Sequence, residues 1–475
     1  MIHKSILILI FFSFNLLAQP GLTVLNNDLD KIVNDKFFER SQIAIEIYDL
    51  TEGKSLYSHN NKLLLHPASN MKLLTSAAGL VFLGPEYEFT TTLYYDGVAE
   101  GTTFLGDLYI VGGLDPDLTS NDLDSLVQAV KSMGIRYITR NIYADISIKD
   151  SLYWGNGWMW DESPDPNAPL LSALNINDNG IEVFVTGNKV GLPGIVSLKP
   201  ETKYVTIENR SVTVPSNVPN DLNITRDWLN NKNAIIIEGT VRNGEIIDSS
   251  EHTEKLNLVD PEKYFLTLFK EHLGKEKIST FGELDKKTLP EGSVYLAEIN
   301  RSLVTVLTNL NKESDNLNAE MILYALALKD STAPALAKNG IEIIKSLLDS
   351  LGLDPNDYSL ADGSGVSRYN LVSAELLIEL LKYMYKHSQF YPYYNSLSIA
   401  GVDGTLEERM MNTLAEGNVH AKTGTLAGVS SLSGYVSAKN GNLISFTIMM
   451  QNYVEKNSVA RTFQDKICEL LANYH

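Results

Sequence analysis

Three short segments of this chain carry side chains suited to acyl transfer. Ser69 and Lys72 stand three residues apart in His66-Pro-Ala-Ser-Asn-Met-Lys72, the one Ser-x-x-Lys in the sequence. Residues three and four apart are neighbours on a helix. A hydroxyl and an amine so placed can work as a pair: a neutral lysine takes the proton while the serine oxygen attacks a carbonyl. Two further segments follow in order, Ser314-Asp-Asn316 and Lys422-Thr-Gly-Thr425. Lys72 acts as a base only when uncharged. A free lysine titrates at ~10.4, and base catalysis at neutral pH wants a value nearer ~7–8. That shift is worth about 4 kcal/mol, which desolvation and a neighbouring cation can supply. Lys422 is the cation expected to help.

Each motif is weak alone, and Ser-x-Asn recurs at Ser13 and Ser58. Order and context discriminate. Ser69 opens an apolar helix predicted from Pro67 to Gly79, in which Leu73, Leu74, Ala77 and Ala78, with Leu80 just beyond, leave little polar surface. Ser314 precedes a helical stretch over 317–329, and Lys422 lies in a strand predicted over 419–426.

The elements around these segments come from both chain ends. A helix is predicted over 28–38 and strands over 42–48 and 55–59, joined by the turn Thr51-Glu-Gly-Lys54. Near the C-terminus, strands over 431–436 and 443–451 flank Asn440-Gly441, a strong hairpin signal, and a helix closes the chain over 459–474. The expected product is one antiparallel sheet shared by the termini and covered by helices. Between them, 245 residues separate Ser69 from Ser314, but only 108 separate Ser314 from Lys422. The long interval reads as a mixed insertion. It has strands at 105–111 and 142–148, helices at 121–133 and 261–273, and a β-rich, helix-poor stretch over 180–240.

At 475 residues the chain exceeds one ordinary core, so several domains are expected. A net charge of −19 argues against nucleic acid and anionic membranes as partners. Lys4 followed by a mostly apolar stretch over 6–17 and Ala18 reads as a signal peptide, residues 1–18, too short to span a bilayer. No cysteine lies near the cleavage point, so no lipid anchor is expected, and no later segment is long enough for a transmembrane anchor. The lone Cys468 reads as a buried, inert thiol. The expected compartment is the periplasm.

The three motifs together are the signature of class A β-lactamases and penicillin-binding proteins. Further text extends the likeness: Gly112-Gly-Leu-Asp-Pro116, Gly157-Trp-Met-Trp160, Ala361-Asp-Gly-Ser-Gly-Val-Ser-Arg368 and Ala400-Gly-Val-Asp-Gly-Thr-Leu406. With these, nearly the whole mature chain resembles the low-molecular-mass class C penicillin-binding proteins, which are D-alanyl-D-alanine carboxypeptidases and endopeptidases. The resemblance implies an α+β multidomain fold, a β-lactamase/transpeptidase-like domain with two nested insertions. The expected boundaries are 21–88 and 294–475 for the penicillin-binding domain, 89–181 and 256–293 for the inserted α/β domain, and 182–255 for the inner β-rich one.

The same resemblance assigns roles. Ser69 would attack the penultimate D-alanine carbonyl of a peptidoglycan stem peptide and form an acyl-enzyme, with β-lactams as covalent inhibitors. Ser314 would relay a proton to the leaving amine, and Asn316 would hold the substrate amide or Lys72. Lys422, Thr423 and Thr425 would bind the terminal carboxylate. Gly424 would keep the strand open to the peptide. The oxyanion hole would be the backbone N–H groups of Ser69 and Thr425. Arg368 resembles the family's arginine near the carboxylate end. Glu162 stands where the family places a carboxylate, usually Asp, that receives the ammonium of a diamino acid.

Other readings carry less. Asp115-Pro-Asp117 reads as a turn, not a cation site. Eight scattered histidines show no ligand spacing, so neither metal nor cofactor is expected. His420 is expected to line the cleft without acting as a base. Two other functions share parts of the pattern. One is a β-lactamase, disfavoured by the long insertion. The other is a catalytically silent peptidoglycan-binding envelope protein, disfavoured by the intact motifs. The balance of carboxypeptidase and endopeptidase action is left open, since both break a D-alanyl bond.

Overall fold

A computed structural model of the chain describes residues 20–244, 253–329 and 333–475; the expected signal peptide lies outside them. The two ends of the chain interleave in one antiparallel sheet. Its order is Ser398–Ile399, His420–Leu426, Val429–Ser437, Leu443–Gln451, Gln42–Asp49, Lys54–His59. Apolar pairs set the register where the ends meet, with Ile45 opposite Ile448 and Ile47 opposite Phe446.

Alternate residues serve opposite faces. Ile43, Ile45 and Ile47 enter a layer with Leu29, Ile467 and Cys468 under the terminal helices Pro20–Val33 and Asn457–Ala472. Ala44, Tyr435 and Met449 enter the opposite layer, built by the helices Met71–Ala78, Asn316–Lys329 and Ala374–Lys386. With both faces covered, Val429–Ser437 and Leu443–Gln451 are buried along nearly their whole length.

The first helix departs from its expected span. It runs Pro20–Val33, and a separate 3-10 turn occupies Lys36–Glu39 because the Asp35 carboxylate caps it by accepting from the Phe37 N–H. The stretch expected as one helix after Pro67 is a 3-10 turn, Ala68–Asn70, then the α-helix Met71–Ala78, then a π-helical turn, Gly79–Leu83. Every residue of Met71–Ala78 is buried, the polar Lys72, Thr75 and Ser76 as well as the apolar ones.

The insertion holds a seven-stranded mixed sheet, in which Glu88–Glu100 pairs with Thr103–Val111 on one side and Val294–Ser302 on the other. The helices Leu123–Ser132 and Pro261–Lys275 cover it. Two three-stranded sheets follow, one centred on Gly180–Thr186 and one on Ala234–Arg242. One apolar cluster runs through all three sheets, from Leu93 and Phe104 to Val183 and Ile237. The strand Gly180–Thr186 crosses the position expected as a boundary at 181–182, and Val294–Ser302 belongs by its pairing to the inserted sheet.

Candidate active site

Ser69 sits in the 3-10 turn that feeds the buried helix, and Lys72 is one turn further on. The backbone turns sharply here: Ala68 has φ 47°, and Gly365, with φ +87°, lies against it. A Cβ on Gly365 would meet the Ala68 carbonyl oxygen at 1.8 Å. Only glycine lets the 361–368 segment approach the Ser69 turn this closely.

Lys72 has no exposed surface, and its Nζ lies 3.0 Å from Ser69 Oγ, 2.5 Å from Asn316 Oδ1 and 2.8 Å from the Ser364 carbonyl oxygen. A neutral amine has two hydrogens and one lone pair. Asn316 Oδ1 and the Ser364 carbonyl are pure acceptors and take the two hydrogens, which leaves the lone pair for Ser69. Burial lowers Lys72 to about 8, against the pull of Asp315, Asp362 and Glu320. The expected cation is not what lowers it; burial alone outweighs three nearby carboxyls.

Lys422 is also fully buried, and its Nζ donates to the Thr423 carbonyl at 3.2 Å. Burial and then Lys72 hold it well below the ordinary lysine value. A carboxylate arriving nearby would favour its charged form again.

A cleft of about 400 Å³ opens beside Ser69. Ser314, Asn316, Thr423 and Thr425 line it, as does Glu162 from the insertion. Lys422 is placed behind this wall, sharing by strand alternation the inward side of Gly424. The expectation for Gly424 needs correcting. A Cβ there would meet Ser431 Oγ at 2.2 Å, the Pro67 carbonyl at 2.7 Å and the Ser69 nitrogen at 3.0 Å. The glycine therefore allows the strand to dock on the Ser69 turn, and the space it keeps clear faces that turn, not the open cleft. Ser431 Oγ, donating to the Pro67 carbonyl at 2.6 Å, and Asn70 Nδ2, donating to Ser433 Oγ at 2.7 Å, complete that joint. Among the described residues, the strand His420–Leu426 has no partner strand on its outer side beyond Ala421, because Ser398–Ile399 pairs only with Ala421 and His420. An extended peptide can pair with such an edge.

The second motif is braced from the insertion. Asn316 Nδ2 donates to the Asn167 carbonyl at 2.6 Å. Asp117 Oδ1 accepts from Asn309 and Asn318, two residues that flank Ser314. Asp115-Pro-Asp117 is a turn, with the Asp117 N–H donating to Asp115 Oδ1 at 3.0 Å. Ser314 has φ 64°, so the motif turns sharply before its helix begins at Asn316.

Arg368 lies outside the cleft wall, its guanidinium nitrogens 3.4 and 3.5 Å from the Ala427 carbonyl just past the third motif. It acts on Glu162 through space, lowering a carboxyl that burial raises. His420 is displaced from its expected place: its ring stacks on Tyr394 at 4.1 Å and does not line the cleft. Five polar wall residues were not anticipated: Asp165, Asn167, Glu313, Thr405 and Arg461. Thr405 was visible in the Ala400–Leu406 text, and its hydroxyl accepts from Thr423 Oγ1 at 2.8 Å. Arg461 projects from the exposed side of the C-terminal helix, where its sequence context is that of any solvated arginine.

The profile of the D-Ala-D-Ala carboxypeptidase 3 (S13) family matches residues 25–474. A D-alanyl-D-alanine carboxypeptidase of Actinomadura sp. (strain R39) is 32% identical over 468 residues, covering 95% of this chain and 85% of the relative. The D-alanyl-D-alanine carboxypeptidase DacB of Haemophilus influenzae is 25% identical over 470 residues, 98% of this chain and 96% of the relative. Among solved structures, penicillin binding protein 4 from Haemophilus influenzae superposes with a TM-score of 0.81 at 24% identity, over 94% of this chain and 100% of that one. A likeness at that identity speaks for a shared multidomain fold.

Proposed function

Because the chain belongs to the D-Ala-D-Ala carboxypeptidase 3 (S13) family, a family of serine hydrolases, we propose that it removes terminal D-alanine from peptidoglycan stem peptides through an acyl-enzyme on Ser69. The observation that carries this reading is the position of Lys72 Nζ, within hydrogen-bond reach of Ser69 Oγ, Asn316 Oδ1 and the Ser364 carbonyl at the floor of a cleft walled by all three motifs.

In this reading Lys72 takes the Ser69 proton as Oγ attacks the penultimate D-alanine carbonyl. The oxyanion is held by the backbone N–H groups of Ser69 and Thr425, each such donor being worth about 2.7–4 kcal/mol. Ser314 passes the proton to the leaving D-alanine amine. Thr423 and Thr425 bind the terminal carboxylate, with Lys422 charged behind them once the anion arrives. Water then repeats the sequence on the acyl-enzyme, and β-lactams stop at that stage. Glu162 receives the free amine of a diamino acid side chain, and Arg368 guards the carboxylate end from the rim.

The open edge of His420–Leu426 favours cleavage of cross-linked stems as a second activity, since a longer peptide can continue along it. The nested division at residues 89, 182 and 256 is kept as part of this reading, and the pairing of Val294–Ser302 with Glu88–Glu100 favours a return to the penicillin-binding domain after Ser302, later than the expected 294. The N-terminal signal pattern supports export to the periplasm. Among the described residues no helix is long and apolar enough to cross a membrane.

The test is labelling with a fluorescent penicillin followed by digestion of purified cell wall. Wild type should be labelled and should shorten pentapeptide stems by one residue, and Ser69→Ala should do neither. Cleavage that survives Ser69→Ala overturns the mechanism. Rapid turnover of the penicillin would make the protein a β-lactamase instead.

A further inference from the structure

A carboxyl group that none of the three motifs contains lies under the catalytic lysine. Glu320 is four residues after Asn316 on the helix Asn316–Lys329, so the two share a helix face. Only 1% of Glu320 is exposed. A buried carboxyl is costly unless it is paired or hydrogen-bonded. Among the described residues no ion pair holds Glu320; Oε1 accepts instead from two consecutive backbone N–H groups, Gly363 at 3.0 Å and Ser364 at 2.9 Å.

Those amides belong to the segment that reaches Lys72. Thr75 Oγ1, from the nucleophile's own helix, donates to the Gly363 carbonyl at 2.7 Å. The next carbonyl, that of Ser364, is one of the two acceptors for the Lys72 amine. The peptide joining Gly363 to Ser364 is thus gripped from two helices, by a carboxyl on its N–H side and a hydroxyl on its C=O side.

We propose that Glu320 is a positioning residue for acylation: by fixing the N–H groups of Gly363 and Ser364 it aims the Ser364 carbonyl at Lys72, and so keeps the amine's lone pair on Ser69. The proposal rests on the Ser69–Lys72 reading above. The work is done by an acceptor oxygen, not by negative charge. Burial raises the Glu320 carboxyl to about 8, so at neutral pH its carbonyl oxygen can serve while the group stays protonated. The titratable groups around it are Asp362, which raises it further, and Lys72 and Lys149, which its ionised form would raise.

The contrast between isosteres tests this. Glu320→Gln keeps an acceptor oxygen at the same reach, and Glu320→Met keeps the volume without an acceptor. With a fluorescent penicillin under single-turnover conditions, Glu320→Gln should acylate within about threefold of wild type. Glu320→Met should fall at least tenfold in the limiting acylation rate, with the concentration for half-saturation unchanged. A residue that only fills space would be satisfied by Met. Folded Glu320→Met acylating at the wild-type rate, or Glu320→Gln falling as far as Glu320→Met, overturns the proposal. Should Glu320→Met not fold, Thr75→Val, which opens the grip from the other side, must slow acylation at least threefold with half-saturation unchanged; a wild-type rate there also overturns it. Wild-type protein that is not acylated at all would instead sink the functional reading on which the proposal rests.

Discussion

The side-chain amide of Asn316 donates to the backbone carbonyl of Asn167 at 2.6 Å, so a residue of the long insertion completes the hydrogen bonds around Lys72. An amide has a donating and an accepting end. With Nδ2 held by Asn167, Oδ1 must turn towards Lys72, which it meets at 2.5 Å. Asn316→Leu should leave a buried amine hydrogen without an acceptor. Such a loss costs about 1–3 kcal/mol, or about 5- to 150-fold in rate. Acylation by a fluorescent penicillin should fall in that range with little change in melting temperature. Asn167→Ala should cost less than about threefold, because its contact is through the main chain. Equal losses in the two variants would contradict this account of the insertion's role.

The pH dependence of acylation has a fixed sign. Neutral Lys72 is the competent form, and burial has brought it down to about 8. Below that value the ammonium form dominates, so the acylation rate should rise about tenfold per pH unit towards 8 and level off above it. Stopped-flow labelling between pH 6 and 9.5 measures this. A rate constant that is flat across the range would mean that Lys72 is not the base.

The catalytic face was legible because its signals are local: three motifs, one buried apolar helix and a hairpin at Asn440-Gly441. The strand reading was incomplete for a physical reason. Glu46 and Asp49 are polar, yet both are buried, Glu46 accepting from Ser55 and Asp49 capping the turn at Thr51 and Glu52. Arg461 and Asn167 reach the cleft through tertiary packing, one from the last helix and one from the insertion, and neither carries a local pattern. Glu320 is hidden for the same reason, since its partners are backbone amides some forty residues away. Spacing shows which residues share a helix turn. It does not show which loop carbonyl a buried amine will find.

Gly424→Ala should weaken the joint between the third motif and the nucleophile's turn. The added methyl would meet Ser431 Oγ, a side-chain atom, but also the Pro67 carbonyl and the Ser69 nitrogen, which are backbone. Overpacking of this kind costs about 1–3 kcal/mol. The variant should melt at lower temperature and acylate more slowly, because the strand and Ser69 are pushed apart together. Adding Ser431→Gly should recover only part of the loss, since the backbone clashes persist. Full recovery would mean that the Ser431 hydroxyl alone sets the requirement for glycine.

Glu162 should decide how the enzyme responds to charge on the substrate side chain. It lines the cleft, and its Oε2 is buried with no hydrogen-bond partner among the described residues, so one strong acceptor is unspent. Burial leaves its carboxyl raised on balance, against the Met159 backbone hydrogen bond and Arg368, and an arriving ammonium group would favour the anion. A half-buried pair of this kind is worth about 1 kcal/mol. Glu162→Gln should therefore raise KM about 3- to 10-fold for stem peptides with a free amine on the diamino acid, and leave kcat nearly unchanged, the pattern of lost uniform binding. Acetylating that amine should abolish the difference between wild type and variant. Steady-state release of D-alanine from the two peptides gives both constants. An equal KM for the free-amine peptide in wild type and Glu162→Gln would reduce Glu162 to a solvated carboxylate on the cleft wall.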